Sequence, residues 1–183
     1  VKLAPQVFVS HTRPEPENIG PVALDLFWKP RGGMWTSTLD DEGGDWIRWL
    51  NDQDYSLEDP RWGGKLWLLH PTDVNVCVVA TPEDYNALAD RFPYPDNPLR
   101  NQGLKSMEKI VHWQALAEEY DALHVPTPRT YRFALSYGTN FEEYYAAGLF
   151  FDTCDAESTC WFRWCFEGEP VELDPHTPYL AAL

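Results

Sequence analysis

Basic residues, long apolar runs and paired cysteines are all scarce in this chain. Fourteen Lys+Arg stand against 29 Asp+Glu in 183 residues, a formal net charge of -15. Phosphate neutralisation needs clustered Lys and Arg, so a nucleic-acid partner is not expected, and neither is docking on anionic lipid. No segment approaches the roughly 18 uninterrupted apolar residues of a membrane span. The start, Val1-Lys2-Leu3-Ala4-Pro5, carries no hydrophobic signal core, so a cytoplasmic location is expected. Cys77, Cys154, Cys160 and Cys165 show no C-x-x-C spacing, and His70, His112, His124 and His176 have no spacing that marks a metal. The expectation is reduced, buried or half-buried thiols and no metal. There is no internal repeat.

What the chain does have is aromatic bulk. Aromatics are 15% of residues, nine of them Trp, and 44% of the chain is hydrophobic. That composition excludes wholesale disorder, and the length fits one domain over 1–183 with a real core. A compact acidic domain of this kind acts on a small molecule or on another protein.

Short strands dominate the pattern. Gln6 to Ser10 reads as a strand ending at His11-Thr12-Arg13, and Gly32-Gly33 leads into a strand-favouring run from Met34 to Thr38. Residues 40–59 hold eight acids and one base, Arg48; within them Asp45 to Leu50 reads as a short helix capped by Asp45, with Trp46, Trp49 and Leu50 on one face. Strands are expected at Lys65–Leu69 and Asn75–Ala80. Thr81-Pro82-Glu83-Asp84 is a helix start, and that helix runs to about Arg91. Apolar residues at 107, 110, 111, 113, 116, 117 and 120 predict an amphipathic helix from Ser106 to Tyr120, followed by a brief strand at Ala122–Pro126. Residues 126–148 are ambiguous. Ser158 to Phe166 reads as one strand, with Glu157 at its start on the face shared by Arg163, a possible ion-pair partner. Residues 167–183 read as a surface tail. The class is α+β: split, mainly antiparallel β-sheets with two or three flanking helices.

Three patches combine polar side chains with strand ends: Ser10-His11-Thr12-Arg13, then Gly32-Gly33-Met34-Trp35-Thr36-Ser37-Thr38, then Asp155-Ala156-Glu157-Ser158-Thr159. Their order resembles the ADP-ribosyltransferase superfamily, whose His-Tyr-Glu or Arg-Ser-Glu triad is spread over three strands of a split sheet. The chain also resembles a group of actinobacterial and phage proteins sharing the K-P-x-G-G-x-W-T-S and Y-D-A-L segments. The first resemblance implies NAD as substrate and a transferase or NAD glycohydrolase activity; the second implies a phage or actinobacterial origin and, if phage-encoded, a host protein as acceptor. It implies His11, Trp35 and Glu157 as catalytic residues, and His11, Thr12, Arg13, Gly33, Trp35, Thr36 and Ser37 as the cofactor-binding set. Trp35 stands in for the stacking Tyr, and Glu157 would face the oxocarbenium-like charge that builds on the ribose. The Arg-Ser-Glu version uses Arg13, Ser37 and Glu157, with Asp155 two residues earlier. Thr12 stands where His-type members carry Gly, and Asp155 where arginine-modifying members carry Glu; such departures allow a ligand-binding relative. The alternative is a non-catalytic acidic phage protein that binds and inhibits a host protein through its acids, or a virion component.

Overall fold

The structure is a computed structural model that describes residues 1–23, 28–61, 63–95, 97, 109–126, 147–151, 153–154 and 156–174. Among the described residues seven strands are formed: β1 (Gln6–Ser10), β2 (Met34–Thr38), β3 (Lys65–Pro71), β4 (Val76–Val78), β5 (Ala122–Val125), β6 (Ser158–Trp161) and β7 (Phe166–Leu173). Three α-helices accompany them, α1 (Asp45–Asp52), α2 (Pro82–Arg91) and α3 (Trp113–Glu119), together with a helical run at 147–151. No helix among the described residues is long and apolar enough to cross a membrane.

The helix starts follow local chemistry. Thr81 Oγ1 accepts from Asp84 N, while the Asp84 carboxylate accepts from the Thr81 N–H. This capping box, with Pro82 in the first turn, starts α2 where the sequence predicts it. At α1 the expectation needs correction: Gly44, not Asp45, is the N-cap residue. Its φ of 98° suits glycine, and a Cβ there would meet Thr38 O at 2.7 Å. Asp45 is thereby released for two other partners, described below.

The strands form one continuous mixed sheet in the order β4-β5-β6-β2-β1-β3-β7, not separate sheets. Only β4 and β5 are parallel; they are joined through α2 and α3, as a parallel pair requires. β2 links the two halves, pairing with β6 through residues 34–36 and with β1 through residues 37–38. Residues opposite one another share a face and alternate along each strand. One face therefore carries Gln6, Met34, Thr36, Thr38, His124, Thr159 and Trp161. The other carries Val7, Val9, Trp35, Ser37, Leu123, Val125 and Cys160.

Helices cover the second face in two groups. α2, α3 and 147–151 pack Tyr85, Leu88, Trp113, Leu116, Phe150 and Phe151 against Leu123, Val125 and Cys160. α1 packs Ile47 and Leu50 against Val7, Leu66 and Leu68. On the first face, Trp161 and Phe166 meet at 4.4 Å between ring centroids, beside Met34, Leu69 and Ala122.

Three further expectations are corrected. The run 158–166 is two strands: the chain leaves the sheet after Trp161 and resumes at Phe166 on the far side of β3. The Phe162 N–H bonds to Asp121 O and the Thr72 N–H to Cys165 O, which anchors the two ends of the connection. Residues 167–173 are no tail; they belong to β7, an edge strand paired with β3 and carrying exposed Glu167, Glu169 and Glu172. Residues 175–183 lie outside the described residues. The helix expected from Ser106 begins only at Trp113, because 109–112 instead bridges to 92–94 through Tyr94 N to Ile110 O and His112 N to Phe92 O. Residues 98–108 and most of the ambiguous 126–148 also lie outside the described residues.

Candidate functional site

Glu157 stands opposite Thr38 at the start of β6. Its Oε2 accepts from the Thr38 N–H at 2.7 Å and its Oε1 from Thr38 Oγ1 at 2.9 Å. Its own N–H donates to Asp45 Oδ2 at 2.6 Å, and its carbonyl accepts from Ser37 Oγ at 3.0 Å. Ser37 Oγ in turn accepts from Trp46 N, in the first turn of α1. The residue thus joins β2, β6 and α1. His124 Nδ1 lies 2.9 Å from Thr159 Oγ1 and 3.4 Å from Glu157 Oε1.

Both side chains are only 15% exposed. Burial pushes the Glu157 carboxyl up to about 7, the two Thr38 hydrogen bonds opposing it and Asp45 and Asp40 reinforcing it. Burial lowers the His124 imidazole.

A buried polar chain extends from this carboxylate across the same face. Trp161 Nε1 donates to Thr36 Oγ1 at 2.8 Å, and Thr36 Oγ1 donates to Gln6 Oε1 at 2.7 Å. Gln6 Nε2 donates to Ala4 O and to Thr38 Oγ1. Trp161, Gln6 and Thr159 are completely buried. Each of these polar groups has a partner, so the chain of bonds ties β1, β2 and β6 together.

The opposite face holds a cavity of about 530 Å³ between α1 and the 153–154 segment, where β1 and β2 diverge. Trp35, Trp46 and Trp49 line it with Val7, Val9 and Cys154, and Lys29 is the one charged side chain among its described lining residues. Trp46 and Trp49 stack at 4.7 Å. Lys29 Nζ lies 5.4 Å from the centre of the Trp35 ring and donates to Thr153 O at 2.6 Å.

The residues singled out from the sequence therefore part into three environments. Gly33, Trp35, Thr36 and Ser37 line the cavity. Glu157 carries its carboxylate on the other face of the sheet, although its neighbours Ala156 and Ser158 reach the cavity wall. His11, Thr12 and Arg13 are exposed beyond the far end of β1, and Arg13 pairs with Glu169 of β7. Gln6 sits level with Thr38, so His11 lies five residues along, roughly 16 Å of strand rise from Glu157. Neither His11-Trp35-Glu157 nor Arg13-Ser37-Glu157 converges on one cleft. Asp155 lies outside the described residues. Glu157 does not pair with Arg163, which instead binds Asp121 at 3.1 Å and Ala117 O at 2.6 Å.

Gly33 is also accounted for without a ligand. Its N–H is spent on Gly20 O at 2.9 Å. A Cβ at its φ of +69° would meet Cys160 Sγ at 2.7 Å and Trp161 O at 2.8 Å. Gly33→Ala should destabilise the fold by roughly 2 kcal/mol in urea unfolding, from left-handed backbone strain plus the clash; an unchanged midpoint would contradict this packing role.

Sequence reasoning passed over His124, Gln6 and Lys29. A lone polar residue among Ala122, Leu123 and Val125, and a Gln opening the apolar β1, were the signals available for the first two.

No protein-family model matches the chain, and no curated protein or solved structure matches it. The resemblance to ADP-ribosyltransferases rests on the motif residues alone.

Proposed function

We propose that this chain is a small-molecule-binding protein whose ligand presents a flat ring to the cavity lined by Trp35, Trp46 and Trp49. The observation that carries this reading is the cavity itself: about 530 Å³, aromatic-walled, with Trp35 and Ser37 of the residues that the NAD resemblance singles out on its face of the sheet. That size and a mostly apolar lining with few polar groups are the usual features of a ligand pocket. NAD, with two flat heterocycles, is the first ligand to test. Transfer chemistry is not part of the proposal, because the Glu157 carboxylate and the Trp35 ring lie on opposite faces of the sheet.

Binding of a basic partner through the acid run is the weaker reading. Asp40, Glu42 and Asp45 all converge on Arg48, at 2.6, 3.3 and 2.9 Å. Asp40 is held below its ordinary value: burial works against this, but the Arg48 guanidinium and the Gly44 and Glu42 amides prevail. These carboxylates are engaged within the fold.

Fluorescence titrations with NAD and with 2-naphthamide test the proposal. Saturable quenching of the wild type is expected for at least one of them, weakened about tenfold or more in Trp35→Ala, as loss of an aromatic stacking partner implies. Trp35→Phe should retain most of the binding. Absence of saturable binding by either compound would overturn the reading.

A further inference from the structure

We infer that the ring-bearing ligand of this cavity also carries a negatively charged group, a carboxylate or phosphate, held by Lys29. The inference rests on the cavity being a ligand site and concerns the chemistry of its occupant. The described side chains around the cavity differ in what they have left to give: Asn18, whose Oδ1 accepts from the Glu15 N–H, offers a neutral amide, and the hydroxyls offer less. Ser37 Oγ donates to Glu157 O, Ser158 Oγ to Ala156 O and Thr153 Oγ1 to Phe150 O. Each hydroxyl has one hydrogen, so all three are spent as donors. Lys29 has three, and Thr153 O takes one.

Charge points the same way. Lys29 is the one charged side chain among the described lining residues, on a chain of net charge -15. Two acids of the neighbouring α1 region are already occupied: Asp40 and Asp45 bind Arg48, and Asp45 also accepts the Glu157 N–H. The ammonium faces an apolar, aromatic volume with no carboxylate among the described lining residues. In such surroundings a charge-assisted bond to an anion is shorter and about twice as strong as a neutral one. Trp35, beside the ammonium, and the Trp46–Trp49 stack supply aromatic surface for the ring.

Calorimetric titration of the full chain with 2-naphthoate and its neutral counterpart 2-naphthamide separates the alternatives. Naphthoate should bind about tenfold or more tightly than naphthamide. Raising NaCl from about 50 to about 500 mM should weaken naphthoate and leave naphthamide unchanged, by the screening expected of an ion contact. Lys29→Gln retains a donor for Thr153 O and should abolish the preference, while Lys29→Arg should restore it. Replacing naphthoate by naphthyl phosphate distinguishes a phosphate-bearing ligand from a carboxylate. Equal, salt-independent binding of naphthoate and naphthamide would overturn this inference and leave the cavity reading standing. Failure of both to bind would overturn this inference, and failure of NAD as well would overturn the cavity reading itself.

Discussion

Glu157→Gln should flatten the pH dependence of stability between about pH 4.5 and pH 7, so that the variant gains on the wild type as the pH rises. The Glu157 carboxyl lies at 4.5 in the unfolded chain and is pushed to about 7 in the fold, first by burial. A carboxyl whose folded value is raised favours the fold fully below the unfolded value. As the pH climbs, the unfolded chain releases its proton first, and stability is lost until the folded group also ionises near 7. A shift from 4.5 to about 7 corresponds to about 3 kcal/mol across that window.

His124 acts in the opposite direction. Its lowered value stabilises the fold above the ordinary histidine range and loses that contribution as the pH falls. The effect of Glu157 must therefore be read as the difference between wild type and variant, with His124 present in both. Gln keeps an oxygen for the Thr38 N–H and has no charge to bury. Urea unfolding at pH 5 and pH 8 should show the variant gaining about 2.5 kcal/mol on the wild type between the two conditions. Parallel pH curves would contradict the buried-carboxylate account.

Thr36→Val should cost more than its change in volume implies, about 2–6 kcal/mol, because two buried polar groups lose their partner at about 1–3 kcal/mol each. Thr36 Oγ1 accepts from Trp161 Nε1 and donates to Gln6 Oε1, and both neighbours are completely buried. Valine has almost the same shape, so the core stays filled while the indole N–H and the amide oxygen go unpaired. Thr36→Ser retains the hydroxyl and should recover most of the loss. Guanidinium unfolding of the three proteins measures this; a valine variant within about 0.5 kcal/mol of wild type, the range of an inert surface change, would show that the network contributes little.

Local chemistry in the sequence was enough for some elements and not for others. Thr81-Pro82-Glu83-Asp84 contains every group that its capping box uses, so α2 could be read directly. Alternation at 158–166 was equally visible. It reports which side chains share a face, however, and not where the chain changes neighbours; that change depends on Met34, Ala122 and Pro71, all distant in sequence. Asp45 was read as a cap because acids favour that place, yet the approach of Thr38 O admits only glycine at position 44.

The candidate site depended on register in the same way. Trp35 and Glu157 sit at strand positions whose faces are set by Thr36 pairing with Thr159, a contact between residues 123 apart. No local pattern reveals that pairing, so the order of the triad residues along the chain does not tell whether their side chains converge. The cavity was partly legible: Gly33, Trp35, Thr36 and Ser37 were named, whereas Trp46, Trp49 and Lys29 reach it only through packing.

Release of nicotinamide from NAD, followed for wild type and Glu157→Gln in parallel, tests most directly whether Glu157 is a structural clamp on the face away from the cavity. The account predicts no release above buffer from either protein, even where NAD quenches the tryptophan fluorescence. Release by the wild type that disappears in Glu157→Gln would contradict it.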